Sequence, residues 1–225
     1  MEPAVKKKIW NILNCIETGT PFFAYDSITI LPDGPDQAKQ VTLSVGFTEA
    51  GGSLRKVVER YVQKNGKFVN WFAPYKDRIG KRPFLVNDRN FISILVHASK
   101  NDPLMREAQD EIYEEVYFKK AMDWCQAEGI TTPLGMLVIF DSLLQSGAVF
   151  TFLRNRFSER TPAHGGDEKK WIAGYVTARN NWLSTHSNKP VRNSAYRTKT
   201  YLQLISKNEW DLKKPVRTLN GCNVA

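Results

Sequence analysis

The sequence predicts a mainly helical fold of two lobes with one small β-hairpin. Apolar residues recur at helical spacing through most of the chain, whereas strand-forming residues cluster in residues 27–47. One predicted helix, residues 103–128, is long enough to form the spine of both lobes. With 225 residues, 42% of them hydrophobic, the chain can bury a core. No repeat or flexible linker is visible, so we expect a single domain over residues 1–225 whose lobes do not separate.

The first predicted helix covers residues 4–16, where isoleucine and leucine recur on one face. Gly19 and Pro21 are typical stop signals after a helix. The pattern therefore places Glu17 at the C-terminal end of this helix.

A β-hairpin is predicted next, with strands at residues 27–31 and 40–47. The intervening Pro-Asp-Gly-Pro-Asp sequence is typical of a turn or loop, and it carries Asp33 and Asp36. The end of the first helix would thus present Glu17, and the hairpin loop would present a second carboxylate. Two carboxyl groups are the minimum that a glycoside hydrolase needs to cleave a glycosidic bond. The spacing by itself is weak evidence, because most acidic pairs are solvated surface.

The middle of the chain gives mixed signals. Gly51–Ser53 offers an N-cap for a helix over residues 54–63. Residues 64–100 show no single periodicity, and we expect aromatic side chains such as Trp71 and Phe72 to belong to the core.

The long helix has clear boundary signals. Asp102 is a good N-cap residue, Pro103 suits the first helical position, and Gly129 ends the pattern. Further on, Asp167 is the predicted N-cap of a helix that contains Arg179.

Three charged residues interrupt apolar helix faces. Asp141 lies among apolar neighbours, and burying it without a cation would be costly. Arg179 and Arg197 fall on the apolar faces of their own helices. We infer a buried cluster of Arg179, Asp141 and Arg197 that joins three helices. The alternative is that each arginine reaches solvent separately. A real cluster could also serve the fold alone, because buried ion pairs are poor evidence of activity.

Charge and cysteine content restrict the function only loosely. The net charge of +9 permits nucleic acid, an anionic wall polymer or an anionic membrane as partners, but no nucleic-acid module accompanies it. Cys15, Cys125 and Cys222 are widely spaced and odd in number, which argues against a disulfide framework or zinc site and fits a reducing compartment. No signal peptide is visible, because polar residues interrupt the apolar segment after Lys6–Lys8.

Residues 160–168, RTPAHGGDE, are followed by Trp171 and the run GYVTAR at residues 174–179. This block closely resembles the C-terminal signature of family 46 glycoside hydrolases, the chitosanases. Glu17, Tyr25 and Asp33 match the family's N-terminal pattern more loosely. The resemblance covers nearly the whole chain in the right order and indicates a divergent member.

This resemblance implies a lysozyme-like fold with two lobes around a substrate cleft, and inverting endo-hydrolysis of β-1,4-linked glucosamine polymers without a cofactor or metal. It makes Glu17 the general acid and Asp33 the general base, with carboxyl groups about 6.5–9.5 Å apart. Thr42 is the candidate for holding the attacking water. Asp141, with its two arginines, matches positions that support the cleft from behind.

Several positions depart from the family pattern. Thr18 follows the acid where the family has Asp, Asn or Gln, and Pro35 replaces a charged residue after the base. Counting back from Gly46–Phe47 makes Asp36 an alternative base. The acidic residue that grips a glucosamine ammonium in the family falls near Gly52–Ser53. These departures and the positive charge weaken the expectation of a polycationic substrate.

Two other functions therefore stay open. One is a peptidoglycan hydrolase of endolysin or effector type, since a basic protein would approach an anionic wall favourably. The other is a glycan-binding relative without activity. In each case we expect a monomer with a polysaccharide partner and neither nucleic acid nor membrane. To act on a wall polymer the protein would have to be secreted or delivered to the cell wall, and no signal peptide is visible in the sequence.

Overall fold

The computed structural model describes all residues, Met1–Ala225, and the chain forms two compact units. The first unit joins residues 1–22 to residues 117–225, and the second consists of residues 23–116. The secondary structure is mainly helical with a few short strands, which confirms the predicted fold class.

In chain order the helices are α1 (Pro3–Thr18), α2 (Ser53–Gln63), α3 (Arg89–Asn101), α4 (Pro103–Tyr113), α5 (Lys119–Glu128), α6 (Pro133–Ser146), α7 (Thr151–Arg154), α8 (Glu168–Ser184), α9 (Lys189–Asn193) and α10 (Tyr196–Ser206). The strands are β1 (Ile28–Leu31), β2 (Gln40–Leu43), β3 (Phe47–Thr48), β4 (Val216–Arg217) and β5 (Asn223–Val224). Short 3₁₀ segments cover Pro35–Gln37, Val69–Tyr75, Leu85–Asn87 and Pro162–His164. No helix is both long enough and apolar enough to span a membrane.

Helix α6 is the centre of the first unit. Its residues Leu134 to Ser142 are buried except Met136, and α1, α5, α8 and α10 all pack against it. Thr132 caps its N-terminus by accepting a hydrogen bond from the Gly135 N–H at 3.1 Å. A helix that is apolar on nearly every side is stable only when it is surrounded by other elements.

A disulfide joins Cys15 in α1 to Cys222 just before β5. The expectation of unpaired cysteines in a reducing compartment is therefore wrong for this pair. The two residues are 207 positions apart, yet their Cα atoms are 5.5 Å apart because β5 packs against α1. Cys125 stays a free, buried thiol in α5.

The second unit contains a three-stranded antiparallel sheet in the order β1-β2-β3, with α2 packed against β3 and α4. β2 is the central strand and is buried along its length. Asp102 organises the helical side of this unit: its carboxylate accepts hydrogen bonds from the Leu104 N–H at 3.0 Å and from the Tyr61 hydroxyl and Lys67 N–H at 2.6 Å each. This one residue therefore caps α4 and also fixes the segment after α2.

Three local predictions need correction. The strand predicted over residues 40–47 is interrupted, because Ser44 has a left-handed φ of 55° and turns the chain into β3. The helix predicted over residues 103–128 has a π-helical segment at Glu114–Phe118. Trp71 is 46% exposed rather than part of the core. The N-cap predicted within Gly51–Ser53 is Gly52, and the Ser53 hydroxyl accepts a hydrogen bond from the Thr48 N–H at 2.9 Å.

Candidate active site

Glu17 belongs to the first unit and lies in the last turn of α1. The buried isoleucines and leucine of this helix fix its orientation, and Gly19 ends it in a left-handed conformation with its N–H bonded to the Cys15 carbonyl at 3.0 Å. The Glu17 side chain is 27% exposed, and its Oε1 accepts a hydrogen bond from Arg197 Nη2 at 2.8 Å. A carboxylate that is fixed but still reaches solvent can exchange protons with a bound molecule.

Arg197 is part of a buried ion cluster. Asp141 on α6 is fully buried, and each of its carboxylate oxygens accepts a hydrogen bond from one guanidinium. Arg179 Nη1 donates to Oδ2 and Arg197 Nη1 donates to Oδ1, both at 2.5 Å. Arg179 also donates to Gln145 Oε1. The cluster joins helices α6, α8 and α10, and Arg197 continues it to Glu17.

Electrostatics keeps Arg197 charged. Burial disfavours its charge, but the Asp141 and Glu17 carboxylates outweigh that effect and raise the pKa of the guanidinium above its usual range. Burial also raises the pKa of Tyr201 well above its usual value, so this phenol stays neutral beside the cluster. Tyr196, next to Arg197 in the chain, donates its hydroxyl to the Ile16 carbonyl at 2.5 Å and so fixes the turn that carries Glu17.

Asp33 belongs to the second unit and lies in the loop between β1 and β2. Its Oδ1 accepts a hydrogen bond from Gln40 Nε2 at 3.0 Å. Gln40 is the first residue of β2 and is only 4% exposed, and its Oε1 accepts the Ala50 N–H at 2.8 Å.

Asp36 has a different environment in the same loop. Its backbone has a left-handed φ of 55°, and its side chain is 85% exposed. Arg82 Nη2 binds both an Asp36 carboxylate oxygen at 3.0 Å and the Pro35 carbonyl at 2.6 Å. Of the two candidate bases, Asp33 is therefore held by a neutral amide and Asp36 by a cation.

Thr42 lies on the same strand as Gln40. It pairs with Thr29 on β1 and Thr48 on β3, and it is 9% exposed. Its hydroxyl has no hydrogen-bond partner in the protein. Because side chains two residues apart in a strand share a face, Thr42 and Gln40 point to the same side of the sheet.

The RTPAHGGDE segment has a structural role. Gly166 has no room for a side chain, since a Cβ atom would lie 1.7 Å from the Arg160 carbonyl oxygen. Asp167 caps α8 by accepting the Lys170 N–H at 2.9 Å, and Glu168 Oε1 accepts the Thr132 N–H at 2.7 Å. The segment thereby fixes the start of α8, the helix that presents Arg179, and links it to the start of α6.

Sequence reasoning missed three polar residues around these carboxylates. Gln40, Gln145 and Tyr196 all bond to a candidate residue or to the backbone beside one. Only Gln40 gave a usable signal, because it stands two positions before Thr42 in a predicted strand. No group of three or more His, Cys, Asp or Glu side chains is arranged to hold a metal ion.

A family model described as "Glycosyl hydrolase family 46" matches residues 12–216. The chain belongs to glycosyl hydrolase family 46. This glycosyl hydrolase is 26% identical over 229 aligned residues to a chitosanase of Bacillus subtilis (strain 168), an alignment that covers 94% of this chain and 80% of the relative.

Solved structures of the family have the same fold as this glycosyl hydrolase. A native chitosanase from Bacillus subtilis superimposes with a TM-score of 0.82 at 25% identity, covering 100% of this chain and 98% of that one. A chitosanase from Gynuella sunshinyii in complex with chitotetraose gives a TM-score of 0.79 at 24% identity, covering 98% and 96%. The family predicted from the C-terminal signature is thus confirmed, and the low identity makes this enzyme a divergent member.

Proposed function

We propose that this family 46 enzyme is an inverting, endo-acting chitosanase that cleaves β-1,4 linkages between glucosamine units. The curated and structural relatives from Bacillus subtilis are both chitosanases and align over almost the full chain. The observation that carries the proposal is the connection of Glu17 through Arg197 to buried Asp141.

Glu17 acts in this proposal as the general acid. In its protonated form it donates a proton to the glycosidic oxygen as the bond to the anomeric carbon breaks. The Arg197 guanidinium, 2.8 Å from Oε1, stabilises the carboxylate that remains after the transfer. Because both Arg197 and Asp141 are buried and ion-paired, the guanidinium does not have to reorganise during the reaction.

Asp33 acts as the general base that removes a proton from the attacking water. Its Oδ1 is occupied by Gln40, and its Oδ2 has no protein partner, so one oxygen is left for the water. We assign Thr42 to hold this water, since its hydroxyl lacks a protein partner and lies on the face that Gln40 shares. Asp36 is the alternative base, with less support because Arg82 occupies its carboxylate.

The distribution of charge favours a second candidate substrate, peptidoglycan or an associated anionic wall polymer. The first unit contains 19 Lys and Arg residues against 10 Asp and Glu, whereas the second contains 13 of each. The entire net charge of +9 therefore belongs to the first unit. This unit attracts polyanions and repels a polycation, an effect that salt weakens.

Both candidates are tested by measuring reducing-end release from highly deacetylated chitosan and from purified peptidoglycan, with the anomers of the products followed by NMR. The variants are Glu17→Gln, Asp33→Asn and Asp36→Asn. Asp123→Asn is the control, because Asp123 is an exposed acid paired only with Lys119. We expect Glu17→Gln and Asp33→Asn to lose at least about 100-fold in kcat, and Asp36→Asn and the control to stay near wild type.

Each outcome has a distinct meaning. Release from chitosan with inversion, lost in Glu17→Gln and Asp33→Asn, supports the proposal. Release from peptidoglycan alone moves the substrate to the wall polymer and leaves the roles of the two acids intact. Turnover of Glu17→Gln near wild type on both substrates would refute the acid assignment. If Asp36→Asn loses activity and Asp33→Asn keeps it, Asp36 rather than Asp33 is the general base.

A further inference from the structure

We propose that Gln40 is the positioning residue for the general base: its side-chain amide holds Asp33 by one oxygen and leaves the other for the attacking water. This inference rests on the proposed role of Asp33. It concerns a residue that belongs neither to the RTPAHGGDE motif nor to the ion cluster of the first unit.

The orientation of the Gln40 amide is determined by its two partners. The Ala50 backbone N–H can only donate a hydrogen bond, so the group that faces it at 2.8 Å must be the Gln40 carbonyl oxygen. The NH₂ group therefore faces Asp33 Oδ1, at 3.0 Å. With both ends bonded and 4% of the residue exposed, this side chain has one available orientation.

The frame that holds Gln40 is itself rigid. Gln40 is the first residue of the buried strand β2 and pairs with Leu31 on β1. Ala50 follows Glu49, which is fully buried, donates its N–H to the Val41 carbonyl at 2.9 Å and accepts the Leu85 N–H with both carboxylate oxygens at 3.1 Å. Burial raises the pKa of Glu49, and the backbone N–H groups around it oppose that rise.

The loop that carries Asp33 needs such an external support. Asp33 is exposed, and its loop has two internal backbone hydrogen bonds, from the Gly34 N–H to the Ala38 carbonyl and from the Ala38 N–H to the Pro35 carbonyl, each at 3.1 Å. Neither bond holds the Asp33 side chain. Gln40 is the residue that connects the Asp33 side chain to the sheet. A base must be held within a fraction of an ångström of its water, because a misplacement of about 1 Å can cost about 100-fold in rate.

A neutral donor suits this task better than a charged one. A guanidinium, as Arg82 provides to Asp36, is a charged donor that competes with a water for the carboxylate oxygen it binds. An amide fixes the geometry of Asp33 without adding a charge next to it.

The proposal is tested by kcat, KM and pH–activity profiles of Gln40→Met and Gln40→Glu on the substrate that the wild type cleaves. Met fills a similar volume and makes neither hydrogen bond, so we expect kcat to fall about 10- to 100-fold with KM within about twofold. Glu still accepts the Ala50 N–H but places a second carboxylate against Asp33. We therefore expect the acidic limb of its profile to move upward by about one pH unit or more.

Gln37→Met is the matched control, since Gln37 is an exposed glutamine in the same loop with no hydrogen-bond partner, and it should behave as wild type. Thermal melts show whether each variant is folded. If Gln40→Met does not fold, Gln40→Glu still tests the proposal. If Asp33→Asn is inactive but both Gln40 variants keep the kcat and pH profile of the wild type, the positioning role of Gln40 is overturned and the base assignment stands. An active Asp33→Asn would instead overturn the base assignment on which the role rests.

Discussion

Replacing Asp141 with asparagine tests whether the ion cluster holds the first unit together. The substitution keeps the size and shape of the side chain and removes the carboxylate charge that the two buried guanidiniums share. Arg179 is 1% exposed and Arg197 4%, so neither can reach water to recover the lost interaction. Arg179 would retain only neutral partners, the Gln145 side-chain carbonyl and the backbone carbonyl of residue 141, and Arg197 would retain Glu17.

The expected loss follows from burial. Removing one partner of a buried ion pair costs about 3–5 kcal/mol, because an uncompensated charge remains in the interior. An unfolding entropy of about 2.1 cal/mol/K per residue gives about 0.5 kcal/mol/K for a chain of this length. The melting temperature of Asp141→Asn should therefore fall by about 6–10 °C.

The assay is differential scanning calorimetry of wild type, Asp141→Asn and Asp123→Asn at neutral pH. Asp123 pairs with Lys119 at 2.8 Å, but both side chains are more than half exposed, so its replacement should cost only about 0.5 kcal/mol or about 1 °C. If Asp141→Asn melts within the range of this control, the two arginines do not depend on Asp141. The structural role of the cluster would then be refuted.

Three further predictions concern the disulfide, a capping residue and the proposed acid. Burial raises the pKa of the Cys125 thiol to about 12, so Ellman's reagent should detect no thiol in the native protein. It should detect one thiol after denaturation, and three after denaturation and reduction of the disulfide. Three thiols in the denatured protein without reductant would exclude the disulfide. Burial opposes ionisation of Asp102, but hydrogen bonds from Tyr61 and two backbone N–H groups outweigh it and hold the Asp102 pKa below its usual 3.8. The stability advantage of wild type over Asp102→Asn in urea unfolding should therefore be full above pH 3.8 and shrink as the pH falls below it, and a difference that grows towards acid would contradict the assignment. Glu17→Gln should change the melting temperature by no more than about 2 °C, because Glu17 is partly exposed and Arg197 keeps Asp141 as a partner; a larger loss would give Glu17 a structural role.

Local signals in the sequence account for the helices and for part of the candidate site. Asp102 and Asp167 are side-chain caps at the starts of helices, as predicted from their residue types and positions. The period of 3.6 placed Arg179 and Arg197 on apolar faces and Asp141 inside an apolar helix. A buried acid requires a cation, so these patterns by themselves predict an ion cluster.

Tertiary structure decided the features that depend on contacts between distant parts of the chain. Cys15 and Cys222 gave no sign of pairing, since nothing local reports that β5 packs on α1. The environments of Asp33 and Asp36 differ because Gln40 and Arg82 approach them from the sheet and from another loop.

Caps, periodicity and a contiguous motif are properties of short segments, so the helical fold class, the starts of α4 and α8 and the family are predictable from the amino-acid sequence. The cation that each carboxylate meets, the cysteines that pair and the glutamine that holds Asp33 depend on how distant segments pack together. These partners lie from 7 to 207 residues apart in the chain, and no short-range pattern encodes a distance in space.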